Sequence, residues 1–425
     1  MMLEELKELL KEAGTDAWEI TDLKTLAYEF YFIRHRLDQN RIRDTRHVTL
    51  KVYRRFDGFM GSASAEVMPG SDREAMKKLI GELQERALLI RNPEYTVNPA
   101  AKHKDEEQLP EIGAIARDFI EVMRDLPETE TEDINSYEIF TAENTRRFIT
   151  SAGTDVTMVY PSASLEVVVN ARQERQEIEL YRMYTSGTCD REMLKKEISR
   201  TLQTGRDKLR AESTPELGTC DVVFSTDAAL QIYEYFLNRV NARMKYQGIS
   251  DISIGDEVVP GMAGDRLSAS ATRYLPNSSA NRSYDSEGAP VRDLTLIRDG
   301  IAENFWGARQ YACYLGLDNT FIPGNFTVSG GTRTEAQLRQ GRYLEVVEFS
   351  DFQVSPFNGD MAGEIRLAYY HDGEKVRIVS GGSVSGSVRE LAAYLCMSVN
   401  QVQYDRMLVP AVLRLSGVTV TGIAG

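Results

Sequence analysis

The sequence predicts an α+β fold: an N-terminal antiparallel sheet with packed helices, followed by a β-rich, barrel-like C-terminal domain. Three observations predict it. A chain of 425 residues exceeds the roughly 250–300 that one core supports, so two domains are expected. The first half alternates amphipathic segments of helical period with strand-like runs. The second half is rich in strand-like arms separated by tight-turn signals, Asp299-Gly300 and Asp372-Gly373 among them.

In chain order, Leu3, Leu6, Leu9 and Leu10 give residues 2–13 an apolar helical face that stops at Gly14. Residues 27–33 (AYEFYFI) and 47–54 (HVTLKVYR) have strand character, and Asp57-Gly58 turns the second into FMGSASAEV. Asp72 is placed to cap a helix running to about Ile90, with Met76, Leu79, Ile80, Leu83 and Leu88 inward. Residues 93–110 are polar and proline-bounded, a surface loop. Ile112, Ile115, Phe119, Ile120 and Met123 mark a further helix, and residues 128–133 (ETETED) read as a solvated acidic turn. Strand-like segments follow at 137–141, 147–150, 157–160 and 165–171, then a charged helix from Arg191 to about Ala211. Ser213-Thr214-Pro215 marks the boundary, giving domains 1–212 and 216–425. Repeated hairpins in the second part need closure to remove free edges, hence the barrel.

Fifty basic against 64 acidic residues leave a net charge of −14, which repels phosphate backbones and argues against nucleic acid as a partner. The N-terminus lacks the apolar core of a signal peptide, and no run approaches the ~18 apolar residues of a membrane span. A cytoplasmic location with no membrane partner is expected. Cys189, Cys220, Cys313 and Cys396 form no Cys-x-x-Cys pair and read as reduced, mostly buried thiols. Of the four histidines, His35, His103 and His371 read as exposed, and His47 opens a strand.

Residues 219–248 (TCDVVFSTDAALQIYEYFLNRVNARMKYQG) organise the second half. Val222-Val223-Phe224 reads as a buried strand, Ser225-Thr226-Asp227 offers N-cap oxygens, and Gly248 suits the stop. Ile232, Phe236, Val240 and Met244 recur every fourth residue, as on one face of an amphipathic core helix.

This helix and the motifs beyond it resemble the TldD/PmbA family of metallopeptidases. Residues 284–290 (YDSEGAP) are similar to its Asp-x-Glu-Gly turn and are followed by LIRDG. Residues 326–331 (FTVSGG) with TRTEAQL, then 341–346 (GRYLEV) and 357–360 (FNGD), resemble further family signatures. The likeness extends over residues 215–425, with a weaker echo in VYRRFDGFMGSAS. Each motif by itself reads as a structural turn or hairpin.

The resemblance implies a zinc site that this chain departs from. In the family's active branch the helix carries His-Glu, three residues, then His; here those places hold Tyr233, Glu234 and Asn238. A protonated phenol and a neutral amide are poor zinc ligands, and Glu234 without a metal polarises water only weakly. A further cysteine ligand of the active branch falls in the stretch matched here by residues 404–410 (YDRMLVP), which has no thiol. Cys396 lies upstream, in an apparent helix over 391–399. The chain therefore looks like the metal-free PmbA (TldE)-type branch, with no cofactor and no metal or catalytic residues of its own. What the resemblance implies is a non-catalytic subunit beside a zinc-bearing TldD-type homologue, acting on small unstructured peptides such as microcin-type precursors. The alternative is a self-sufficient homodimer that binds peptides or another small ligand.

Two weaker signals remain. Gly381 to Gly386 (GGSVSG) is a glycine-rich loop before a capping-box pattern, Ser387 to Glu390, but lacks the Gly-Lys-Ser/Thr of a phosphate loop. Arg34, Arg36, Arg41, Arg43 and Arg46 form a basic cluster that reads as a solvated or subunit-facing strand edge.

Overall fold

The computed structural model describes residues 2–105, 109–126, 129–174, 176–318 and 320–423. Its N-terminal part contains α1 (Met2–Glu12), β1 (Ala17–Ile33), β2 (Arg36–Phe56), β3 (Phe59–Glu66), α2 (Arg73–Ala87) and β4 (Lys102–Lys104). It continues with α3 (Ile112–Arg124), β5 (Glu132–Thr150), β6 (Asp155–Gln173), β7 (Gln176–Ser186) and α4 (Arg191–Lys208). The strands form one sheet in the order β3-β2-β1-β5-β6, with β7 and the short parallel β4 also paired to β6. The α+β expectation holds.

The helices cover this sheet in two groups. Leu6, Leu9 and Leu10 of α1 and Met76, Ile80 and Leu83 of α2 pack on Ile20, Leu50 and Val52. Phe119 and Met123 of α3 and Ile198 and Leu202 of α4 pack on Ile134, Leu165 and Val167. Asp72 caps α2 as expected, accepting from the Ala75 amide at 2.8 Å.

The strands run much further than their apolar runs suggest. β1 pairs with β2 from Ala17↔Tyr53 to Ile33↔Arg36, so the arginine-rich segment is itself strand. Arg43 and Arg46 are ion-paired to Glu29 and Asp22 on β1. β3 reaches only Thr49 to Phe56 of β2, which leaves residues 36–47 on an uncovered edge. The acidic turn is corrected in part. Glu128 lies outside the described residues, but Glu132 and Asp133 are buried on β5, paired with Arg206 and Arg172.

The C-terminal part opens with β8 (Glu212–Ser213), β9 (Gly218–Ser225), α5 (Thr226–Arg239) and α6 (Ala242–Tyr246). There follow β10 (Ser268–Thr272), β11 (Leu294–Arg298), β12 (Ile301–Ala302), α7 (Arg309–Tyr314), β13 (Asn325–Ser329) and α8 (Glu335–Leu338). The chain ends with β14 (Arg342–Val354), β15 (Asp360–Asp372), β16 (Val376–Ser380), β17 (Ser383–Ser387), α9 (Val388–Leu391), β18 (Cys396–Met397), β19 (Gln401–Tyr404), β20 (Met407–Pro410) and β21 (Val412–Thr421). Strands β14, β9, β21, β17 and β15 pair in that order, and β14 also pairs with β15, which closes the ring into a barrel. A second sheet, β12-β11-β10-β13-β20-β19, lies beside it. α5 is buried in the core shared by both, with Ile232, Phe236 and Leu237 among Val222, Phe326, Val346 and Leu413.

The expected single helix to Gly248 is broken after Arg239. Trp306 takes the helix ladder apart: its indole donates to the Leu237 carbonyl and its amide to that of Val240, while its own carbonyl accepts from Ala242. Asn241 then caps α6 through the Arg243 and Met244 amides. No helix among the described residues is long and apolar enough to cross a membrane.

An interdomain cleft beside helix α5

α5 starts where β9 leaves the barrel, and its first turns face the N-terminal part across a cleft of ≈ 530 Å³. β7 and α4 form one wall; α5, the β14 segment 346–352 and the β19–β20 turn form the other. Arg182 of β7 spans it, donating to both oxygens of the buried Glu348 carboxylate at 3.3 and 2.8 Å. Tyr369 donates to Asp207 of α4 at 2.6 Å, a second tie between the two parts.

Ser225 occupies the N-cap place of α5, but its side chain makes no capping bond. Its hydroxyl instead accepts from Arg200 of α4 at 3.0 Å, and Thr226 holds a left-handed φ of +54°. The helix start is thus drawn toward the cleft by the opposite wall.

The three motif positions separate in space. Tyr233 is fully buried, and its hydroxyl donates to the Pro410 carbonyl at 3.4 Å. Burial holds this phenol well above its ordinary pKa, so it stays protonated. Glu234 is half-exposed on the cleft wall and accepts from Arg406 Nη2 at 3.0 Å. The half-buried Asn238 amide makes no hydrogen bond among the described residues. One hairpin, β19–β20, therefore engages two of the three positions, through Pro410 and Arg406.

Arg406 was missed in the sequence because its partner lies 172 residues away. The turn that presents it is pinned. Asp405 sits at φ +43° and accepts from the Ser279 amide at 2.7 Å and hydroxyl at 2.6 Å.

The zinc that the family likeness implies does not fit this donor set. The phenol is sealed in the core, the carboxylate is neutralised by a guanidinium, and the amide is a weak donor. No group of three or more histidine, cysteine, aspartate or glutamate side chains suited to a metal occurs among the described residues.

Cys396 lies in strand β18, not a helix, because its backbone pairs with Arg414 of β21; it is half-buried and does not line the cleft. None of the four thiols is buried outright. Burial still pushes Cys220 up to about 11 and Cys189 up to about 12. Three histidines are half-buried rather than exposed: His103 bonds Asp105 at 2.7 Å beside the Tyr284 ring, His371 stacks on Tyr343, and His35 lies against Tyr137.

Gly381 and Gly382 form a plain turn whose amide and carbonyl are spent on Ile365. Gly381 and Gly382 hold φ of +84° and +79°, and a Cβ on Gly382 would meet the Thr421 carbonyl oxygen at 2.2 Å, which explains the glycines. Ser387 belongs to β17 and caps nothing; a true capping box is formed by Thr334 and Gln337. The Asp285-x-Glu287-Gly288 turn is structural, with Asp285 accepting from the Glu287, Ala289 and Ile322 amides. Arg146 donates to the carbonyls of Asp285 and Ser286, docking this turn on the N-terminal sheet.

Residues 217–422 match the profile of the PmbA/TldA metallopeptidase C-terminal domain. A stretch of 177 residues is 24% identical to metalloprotease PmbA of Escherichia coli O157:H7, spanning 40% of this chain and 38% of that protein. The fold is shared with the crystal structure of TldE from Thermococcus kodakarensis, with a TM-score of 0.76 at 15% identity over 98% of this chain and 100% of that one. It is shared equally with a proposed modulator of DNA gyrase from Bacteroides thetaiotaomicron, with a TM-score of 0.76 at 15% identity over 99% of this chain and 98% of that one. Residues 217–422 thus belong to the PmbA/TldA metallopeptidase C-terminal domain family, and the whole chain shares the fold of TldE.

Proposed function

We propose that this chain is a non-catalytic member of a TldD/PmbA-type peptidase complex, supplying a peptide-binding wall to a zinc-bearing homologue. The observation that carries this reading is the pairing of Glu234 with Arg406 beside a sealed Tyr233. In a zinc peptidase the glutamate base works on a water that the metal polarises; here Glu234 is held by the Arg406 guanidinium instead. The interdomain cleft keeps the size and mixed lining of a ligand site. Small unstructured peptides are the substrate class suggested by the family.

The uncovered β2 edge at residues 36–47 offers a surface for a second subunit. A homologue and a second copy of this chain both suit such an edge, so the homodimeric peptide-binding reading stays as the alternative. Mixing the purified chain with a TldD-type homologue separates them. The first reading expects a 1:1 complex in native mass spectrometry and peptide cleavage that neither protein shows alone. A homodimer that ignores the homologue would reject it.

A further inference from the structure

The cleft is a built polar cavity. Ser225, Thr201, Thr204 and Glu348 line it while each is more than nine-tenths buried. Apolar surface from Met183, Met193, Leu230, Phe349 and Met407 lies between them. A volume of ≈ 530 Å³ falls in the range of small-ligand sites, roughly 300–1,000 Å³.

Its charges do not balance. Six carboxylates line it against three guanidiniums. Glu348 is taken by Arg182, Glu234 by Arg406, Asp405 by Ser279 and Asp351 by the Gln353 side-chain amide. Arg200 donates to the neutral Ser225 hydroxyl and keeps its charge, which still leaves the cleft with three more carboxylates than guanidiniums. Among the described residues, no hydrogen bond or ion pair holds the side chain of Glu197 or Asp227. Asp227 stands in the first turn of α5 with its carboxylate open to the cleft. The phenols of Tyr184 and Tyr404 lie beside these two carboxylates and are held protonated by burial, with Tyr184 pushed up to about 12.

We infer that the cleft selects a basic side chain, a lysine ammonium or arginine guanidinium, on an extended peptide, seated between Glu197 and Asp227. The cavity already binds guanidinium twice from within, at Glu348 and Glu234. An aliphatic stem would lie on the methionine and phenylalanine surface while its charged head reaches the open carboxylates. This inference rests on the peptide-cleft reading and adds the charge that reading leaves open.

The test uses the full chain and unstructured peptides of about ten residues that differ only at two central positions, occupied by arginine, glutamine or glutamate. Calorimetry is expected to show the arginine peptide binding at least about tenfold tighter than the glutamine peptide, and the glutamate peptide weakest. E197Q/D227N should abolish the difference while leaving glutamine-peptide binding in place. Should that variant fold poorly, the wild-type chain serves: rising salt must weaken the arginine peptide and spare the glutamine peptide. Equal affinities, or a preference for glutamate, would overturn the charge selectivity and leave the peptide-cleft reading standing. Binding of none of the three would reject the cleft reading itself.

Discussion

Tyr233 and Glu234 are neighbours in sequence with opposite surroundings, one sealed in the core and one on the cleft wall. The two roles predict opposite mutational behaviour. Tyr233→Ala should cost about 3–5 kcal/mol of stability, because a large buried ring leaves a cavity. Tyr233→Phe should cost under about 1 kcal/mol, since only one long hydrogen bond is lost. Chemical denaturation of the two variants checks this, and equal losses would mean the hydroxyl matters more than the ring. The buried phenols also set an alkaline limit. Burial pushes the Tyr184 phenol up to about 12 from its ordinary value near 10, so the unfolded chain loses its proton first. Stability should be unaffected by this group below pH 10 and fall as pH rises from 10 toward 12. Melting temperatures across that window test it; a flat profile in which the Tyr184→Phe variant behaves like wild type would contradict it.

Among the elements, helices with one apolar stripe were legible in the sequence. The leucines of α1 and the Asp72 cap of α2 gave existence and the starting boundary, because helix signals are local, but α2 stops at Ala87 rather than near Ile90 and leaves Leu88 exposed. Strand ends were not legible. Residues 36–46, read as an arginine-rich strand edge, are mostly polar and exposed, so the length of their pairing to β1 left no apolar alternation to read. The break in α5 was also invisible, since it depends on Trp306, 66 positions beyond Val240, rather than on a glycine or proline. The β2–β3 hairpin behaves as its Asp57-Gly58 turn predicted, with both residues at positive φ. Its packing yields a sharper expectation. A Cβ at Gly61 would lie 1.8 Å from the Ala87 carbonyl, so Gly61→Ala must push α2 off the sheet. A loss of about 1–3 kcal/mol is expected, larger than the ~1 kcal/mol of Asp72→Ala. Thermal unfolding of both variants tests this order, and a neutral Gly61→Ala would mean that α2 docks differently.

For the whole molecule, the organising feature is the cleft between the two parts, and no single motif announced it. The sequence carried Glu234 and the positions around it, but not the hairpin that supplies Arg406 or the α4 and β7 side chains that face it. Such pairings are long-range and leave no periodic trace. Arg182–Glu348 bridges the parts, and its two ends are unequally exposed. Removing Arg182 strands a buried carboxylate and should cost about 3 kcal/mol, whereas removing Glu348 leaves a guanidinium that water still reaches and should cost less. Denaturant midpoints of Arg182→Ala and Glu348→Ala would show the reverse order if the bridge were not buried as described.

Helix α5 is proposed to lack the ligands that hold zinc. The direct measurement is elemental analysis of zinc per chain after equilibration with a small molar excess of zinc and removal of free metal, comparing wild type with Glu234→Ala. The account predicts no more zinc on the wild-type chain than on the variant. One zinc per chain in the wild type, lost in Glu234→Ala, would contradict it.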